Sequence, residues 1–134
     1  MNRERHRYWS AYIADLQGRM LLADWWIELS RKPLMIENAK AAVQAMGPKR
    51  EAMIWLAADF DESSRSWQRH YIVHELVHCH FHPLFTQFEA QCCADKGIAR
   101  TLQIAHRSHE EYAVDDLARI IAPHMPLPPK AAKP

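Results

Sequence analysis

Two histidines and a glutamate with the spacing of a metal site lie in the stretch RHYIVHELVHCHFHP, residues 69–83, where His74, Glu75 and His78 form an H-E-x-x-H pattern. On a helix, His74 and His78 lie one turn apart on one face, so their imidazoles can hold one metal ion. Glu75 lies about 100° round the helix, where its carboxylate can reach a water on the metal rather than the metal itself. The spacing therefore indicates a zinc site suited to hydrolysis.

A histidine-rich core helix is the structural alternative for the same residues. The remaining positions of this stretch are largely apolar, so the helix is expected to be buried; they are Ile72, Val73, Leu76, Val77 and Phe81. A buried helix that keeps two imidazoles and a carboxylate needs partners for them, because unpaired polar groups cost free energy in the interior. This requirement favours the metal site.

A third protein ligand is needed, because a catalytic zinc takes three protein groups and leaves one position open. His82 lies about 12 Å along the helix from His74, with His78 between them, and cannot complete a tetrahedral site on a straight helix. His80 and His82 are expected at the surface or around the site. Metzincins and YbeY-type endoribonucleases have a histidine where this chain has Leu84, and this difference disfavours an RNA-cleaving metalloenzyme.

Acidic residues near the C-terminus are the remaining source of the third ligand, in the predicted helix SHEEYAVDDLARIIAP, residues 108–123. Glu110 and Glu111 border its apolar face, and Asp115 does so less closely. Ser108 with Glu111 also matches a helix capping box, a purely structural explanation. Glu111 and Asp115 stand four residues apart, which suits a ligand and a carboxylate that fixes an imidazole from behind. The residues alone leave Glu110 and Glu111 both open.

The helices and strands predicted to carry these side chains indicate an α+β fold. Periodicity predicts helices over about 6–22, 67–82, 85–105 and 109–122, with Pro83 ending the second of them. Strands are predicted at 24–30 and in a hairpin of about 40–46 with 51–58, with a short helix before the turn as the alternative. Residues 1–123 are expected to form one domain. Residues 124–134, rich in proline, are expected to form a disordered or loosely extended tail.

Two further expectations concern the surface of the sheet. Trp25 and Trp26 are adjacent, so one of them should face away from the core. The strand EAMIWLAAD, residues 51–59, is expected to be an edge that could pair with an extended substrate.

Net charge, apolar runs and cysteine content disfavour several classes of protein. The chain has 134 residues and a formal net charge of +1, so no basic surface suggests nucleic acid. No apolar run reaches the length of a membrane span, and no signal peptide is recognised. The three cysteines are odd in number and Cys92 and Cys93 are adjacent, which disfavours a disulfide framework and predicts a cytoplasmic protein. The oligomeric state stays open.

Taken together, the two motifs resemble the gluzincins, the thermolysin-type zinc metallopeptidases. The short chain and the final EYAVDDLARIIAP look like the minimal cytosolic members of ImmA/IrrE type and their phage-encoded relatives, whose second motif reads E-x-E-A-N-x-F-A-x-x-L-L-x-P. On that motif Glu111 takes the ligand position and Asp115 the Asn position. Ala113 replaces the second glutamate of the motif. The resemblance implies a zincin-like fold and Zn²⁺ held by His74, His78 and Glu111.

A zinc metallopeptidase acting on a protein or peptide substrate is the function that this resemblance implies. Glu75 would be the general base that takes a proton from the metal-bound water. The donor to the tetrahedral oxyanion would be one of Tyr112, His106, His109 or Arg119. The alternative is a zinc-stabilised binding or regulatory module without peptidase activity, in which Cys79, Cys92 or Cys93 could supply a fourth ligand.

Overall fold

The structure is a computed structural model that describes residues 1–46, 49–92 and 96–130, with the backbone alone for 85–92, 96–99 and residue 102. Its main elements, in chain order, are α1 (Arg3–Arg19), β1 (Trp26–Leu29), β2 (Ala41–Met46), β3 (Glu51–Leu56), α2 (Arg65–Cys92) and α3 (Lys96–Ile121). Short 3-10 turns follow β3 and α3, at Phe60–Glu62 and Ala122–His124. An N-terminal helix, a small mixed sheet and C-terminal helices confirm the predicted α+β class.

The first helix forms where the apolar spacing predicts it. Asn2 caps α1 by accepting a hydrogen bond from the amide of Arg5 at 2.8 Å, which satisfies one of the free amides at a helix start. The helix ends at Arg19, earlier than predicted, and Leu21 just beyond it has a φ of 57°. The face of α1 that packs on the core carries Trp9, Tyr12, Ile13 and Leu16.

The predicted hairpin of β2 and β3 is confirmed, and the alternative helix before the turn does not form. The strand order is β1-β3-β2, with β1 parallel and β2 antiparallel to β3. The prediction that residues 51–59 form an edge is therefore wrong. The chain between β1 and β2, residues 30–40, carries β2 past β3, so β3 lies in the centre of the sheet and β2 becomes an edge.

Hydrogen-bond parity shows which backbone groups lie on the open edge of β2. Ala57 donates its amide to the Lys40 carbonyl at 2.9 Å, so this is a hydrogen-bonded pair of the antiparallel ladder. Such pairs alternate along the strands. The amides and carbonyls of Ala41, Val43 and Ala45 therefore point away from β3. Among the described strands none pairs with β2 on that side.

The long helices differ from the prediction at their ends. α2 continues through Pro83 to Cys92, so the predicted stop at Pro83 is wrong. A proline in a helix removes one hydrogen bond, and here the helix continues past that loss and packs against α3. The predicted helix over 85–105 is divided between α2, which includes residues 85–92, and α3, which begins at Lys96. α3 then continues through the last predicted helix without a break at Ser108, whose hydroxyl donates to the Ile104 carbonyl at 3.1 Å. The predicted cap at Ser108 is therefore also wrong.

Helices α1 and α2, the sheet and the second half of α3 share one apolar cluster. It includes Leu16, Ile54, Leu76 and Val114, all fully buried. Trp25 is buried in this cluster, whereas Trp26 is 68% exposed. The expectation that one of the two tryptophans faces outward is confirmed.

The C-terminal segment packs against α1 and α2. Tyr12 donates its hydroxyl to the Pro126 carbonyl at 2.7 Å, and Arg65 donates to the Pro128 carbonyl at 2.8 Å. Arg69 donates to the Met125 carbonyl at 2.9 Å, and Pro128 is buried. Residues 125–130 have no regular secondary structure, and side chains of two helices bind their carbonyls.

None of the helices in the described part of the chain has the length and apolarity that a bilayer crossing requires.

Candidate metal centre

The three side chains predicted to hold a metal converge in the structure. His74 and His78 lie on α2, and Glu111 on α3 brings one carboxylate oxygen to each imidazole. The distances are 3.6 Å from His74 Nε2 to Glu111 Oε2 and 3.4 Å from His78 Nε2 to Glu111 Oε1. One ligand atom from each of the three residues lies within 4.8 Å of the other two.

These separations are those of a zinc ligand set. Zinc binds nitrogen and oxygen at about 2.0–2.1 Å in tetrahedral geometry, which places two ligand atoms about 3.3 Å apart. The 3.4 and 3.6 Å distances, which join the two imidazoles to different oxygens of Glu111, lie within a few tenths of an ångström of this value. The donor set of two imidazoles and one carboxylate is also one that zinc accepts. The residues therefore fit a Zn²⁺ ion.

The other nitrogen of each imidazole faces a second carboxylate. His78 Nδ1 lies 3.3 Å from Glu110 Oε1, and His74 Nδ1 lies 3.9 Å from Asp115 Oδ1. Arg119 holds Asp115 through a 2.6 Å ion pair. Carboxylates placed behind metal-binding imidazoles fix their tautomer and orientation. Glu111 thus faces the metal side of both rings, and Glu110 lies behind one of them.

Burial keeps the first imidazole neutral. The pKa of His74 is lowered chiefly by burial and further by the neighbouring His78, while Glu111 and Asp115 oppose this shift. A neutral imidazole is the form that binds a metal. The environment of His74 therefore favours the ligating form in the metal-free protein.

Glu75 is a buried acid beside the same cluster. Its side chain is 8% exposed and lines the cleft that also contains the two histidines. Burial, with a contribution from the charge of Glu111, raises the pKa of Glu75 to about 8, and the Val43 backbone opposes that rise. An acid with a pKa near neutrality can both accept and return a proton. Glu75 is therefore a buried acid in the same cleft as the candidate metal ligands.

The cleft around these residues has a volume of about 750 Å³. One wall is α2, the second is the later half of α3, and the third is the edge of β2. The outward-facing groups of Ala41, Val43 and Ala45 lie along this third wall. The candidate metal ligands thus lie beside a strand edge that no other described strand covers, where the Val43 backbone is hydrogen-bonded to Glu75.

One of the four predicted oxyanion donors lines the cleft, and the other three do not. Arg119 lines the cleft. Tyr112 is 72% exposed, and neither it nor His106 or His109 belongs to the lining.

Sequence reasoning missed Trp67, His70 and Tyr71, which line the cleft. Their spacing was a usable signal, because positions 67, 70, 71, 74 and 78 follow one helix face.

His80, His82 and Cys79 lie in different surroundings. His80 Nε2 is 2.9 Å from the Met20 carbonyl, while His82 lines the cleft and packs edge-on against Trp25. The Cys79 thiol is buried in the core, where burial raises its pKa to about 12, and it does not line the cleft. Cys93 and the side chain of Cys92 lie outside the described residues.

No protein-family model, curated protein or solved structure matches this chain.

Proposed function

We propose that the protein is a zinc-dependent peptidase with a zincin-like fold of the gluzincin type. One observation carries the proposal: the Nε2 atoms of His74 and His78 face one carboxylate, Glu111, at metal-ligand spacing. Glu75 lies in the same cleft, between this cluster and the strand edge, as a water-activating base would.

The residues divide the chemistry among them. His74, His78 and Glu111 would hold Zn²⁺, which when bound supplies Lewis-acid activation of water and of a peptide carbonyl. Glu75 accepts a proton from the attacking water and returns it to the leaving amine, so its charge is unchanged over the cycle. Glu110 and Asp115 keep the imidazoles in the orientation that the metal requires. Of the four predicted donors, Arg119 lines the cleft, and we assign it to the oxyanion.

An extended substrate peptide would bind along the open edge of β2. An extended peptide can add to an open strand through main-chain hydrogen bonds, which depend little on sequence. Ala41 and Ala45 offer outward amides and carbonyls with small side chains, so a second backbone can come close. Val43 lies between them, and its backbone faces Glu75. A peptide paired there would cross the cleft beside the base and the metal ligands.

A zinc-stabilised binding module is the alternative function. Structural zinc sites usually fill all four positions with protein ligands. In the described part of the chain the cluster has three members, and the Cys79 thiol lies in the core instead of the cleft. The open cleft and the buried acid beside the cluster favour the peptidase.

Glu75→Gln tests the peptidase directly. The amide keeps the shape of the side chain but accepts no proton, so we expect unchanged zinc content and hydrolysis lowered by at least about a hundredfold. Zinc content and cleavage of a complex peptide mixture are measured on the same samples. Glu28→Gln is the control, since Glu28 is exposed on β1, the opposite edge of the sheet. Full activity in Glu75→Gln would refute the role of Glu75, and zinc-independent cleavage would refute the mechanism.

A further inference from the structure

One end of the cleft is aromatic. Trp67 and Tyr71 stand one turn apart on α2, and their rings stack with centroids 5.6 Å apart and planes 26° from parallel. Both residues line the cleft, and Trp67 is 55% exposed. Tyr71 also packs against the buried Phe60, with ring centroids 6.2 Å apart. The core thus holds Tyr71, and Tyr71 supports the exposed ring of Trp67.

The strand wall near this aromatic pair is made of small side chains. Ala39, Ala41 and Ala42 line the same cleft as Trp67 and Tyr71. Small side chains on this wall leave room in the cleft for a bulky side chain. A rigid aromatic surface of this kind gains free energy when an apolar or aromatic group covers it.

Charges near the aromatic pair are matched within the protein. Lys40 forms an ion pair with Asp59 at 2.5 Å, and Arg119 forms one with Asp115 at 2.6 Å. Because Lys40 is paired with Asp59 and Arg119 is assigned to the oxyanion, neither selects strongly for an acidic substrate side chain. Trp67 and Tyr71 offer an aromatic surface for recognition, with the His70 ring packed edge-on against Trp67.

We propose that Trp67 and Tyr71 form a specificity subsite for an aromatic or large aliphatic side chain of the substrate. The inference rests on the proposed peptidase function. The metal ligands centre on position 76 of α2 and the aromatic pair on position 69, seven residues or about 10 Å along the helix axis. An extended chain covers this distance in about three residues. The recognised side chain therefore lies about three residues from the scissile bond, on one fixed side of it.

A cleavage-site profile tests this subsite. The zinc-loaded protein is incubated with a library of peptides derived from a whole proteome, and the cut sites are read by mass spectrometry. We expect Trp, Tyr, Phe, Leu or Met to be enriched at one position two to four residues from the cut. Trp67→Ala should abolish the enrichment and raise KM for an aromatic peptide about five- to tenfold, with kcat within about twofold.

Two controls separate the possible failures. Trp26→Ala removes a tryptophan of similar exposure from β1, away from the cleft, and should leave both the profile and KM unchanged. Cleavage without enrichment, or enrichment that survives Trp67→Ala, would overturn the subsite and leave the peptidase standing. If no cleavage depends on zinc and on Glu75, the proposed function fails and the subsite fails with it.

Discussion

His74 and His78 each turn one imidazole nitrogen to Glu111 and the other to a separate carboxylate. This arrangement gives neighbouring acids on α3 different tasks. The Glu111 carboxylate oxygens lie 3.6 and 3.4 Å from the Nε2 atoms of His74 and His78. Glu110 faces the Nδ1 atom of His78, and its side chain is 13% exposed. A carboxylate behind the ring acts on the metal through the imidazole and not by contact.

The losses of zinc affinity caused by substitutions at Glu110 and Glu111 should therefore differ in size. Glu110→Gln is expected to weaken zinc binding about tenfold, because the imidazole loses a charged partner but stays in place. Glu111→Gln removes a direct ligand and should weaken binding by more than about a hundredfold. Asp116→Asn is the control, since Asp116 is exposed on the same helix. Competition with a chelator of known affinity measures all three, and equal losses at positions 110 and 111 would contradict these assignments.

Sequence alone could not choose between these acids. Adjacent residues on a helix point about 100° apart, so the choice depends on how α3 is rotated against α2. That rotation is set by packing, with Val114 and Ala118 fully buried. The H-E-x-x-H spacing was sufficient for the histidines, because both lie on one helix and need no tertiary information to meet.

At the scale of elements, the open edge of β2 is the feature that makes the cleft suited to a peptide. The ladder with β3 uses the backbone groups of Ala42 and Gln44, while those of Ala41, Val43 and Ala45 face the cleft. A substitution that removes the amide of Ala42 or Gln44 should therefore affect folding. One that removes the amide of Ala41, Val43 or Ala45 should affect substrate binding.

Proline substitutions distinguish these two effects. Ala45→Pro removes an amide that points to the cleft, so we expect a native fold and KM for peptides raised about fivefold or more. Gln44→Pro removes an amide that pairs with β3 and should lower the free energy of unfolding by about 2 kcal/mol or more. Circular dichroism in denaturant and steady-state kinetics on both variants provide the measurement. Unchanged KM in Ala45→Pro would argue against substrate pairing at this edge.

The elements themselves were predictable where periodicity was strong, as in α1 and the β2–β3 hairpin. The ends of α2 and α3 were not. Pro83 and Ser108 are local signals for a helix stop and a helix start, and tertiary packing of two long helices overrides both. The strand order was also beyond the sequence, because it depends on the path of residues 30–40 across the sheet. The sequence therefore predicts residues 51–59 as an edge, whereas β3 lies in the centre of the sheet and β2 forms the edge.

At the scale of the whole molecule, the C-terminal segment ties α1 to α2. Tyr12 on α1 and Arg65 and Arg69 on α2 all donate to carbonyls of residues 125–130. Prolines in this segment offer carbonyls and need no partner for an amide, so side-chain donors suffice to hold it. The segment therefore holds the first turns of α2, the helix that carries both histidines.

Tyr12→Phe tests this tie. Burial raises the pKa of Tyr12, and its hydroxyl loses a partly buried hydrogen bond in the variant, leaving the Pro126 carbonyl without its donor. We expect the free energy of unfolding to fall by about 1–2 kcal/mol. Tyr112→Phe on the exposed face of α3 should change it by less than about 0.5 kcal/mol. Urea unfolding of both variants is the measurement, and equal effects would show that the segment does not stabilise the domain.

X-ray absorption at the zinc edge tests the central claim most directly. The chain, loaded with zinc and dialysed, should retain one ion with two imidazole nitrogens and oxygen ligands at about 2.0–2.1 Å. Glu111→Gln should lose most of the bound ion under the same dialysis. A sulfur ligand at about 2.3 Å, or no zinc retained by the unaltered chain, would contradict the metal centre and the peptidase built on it.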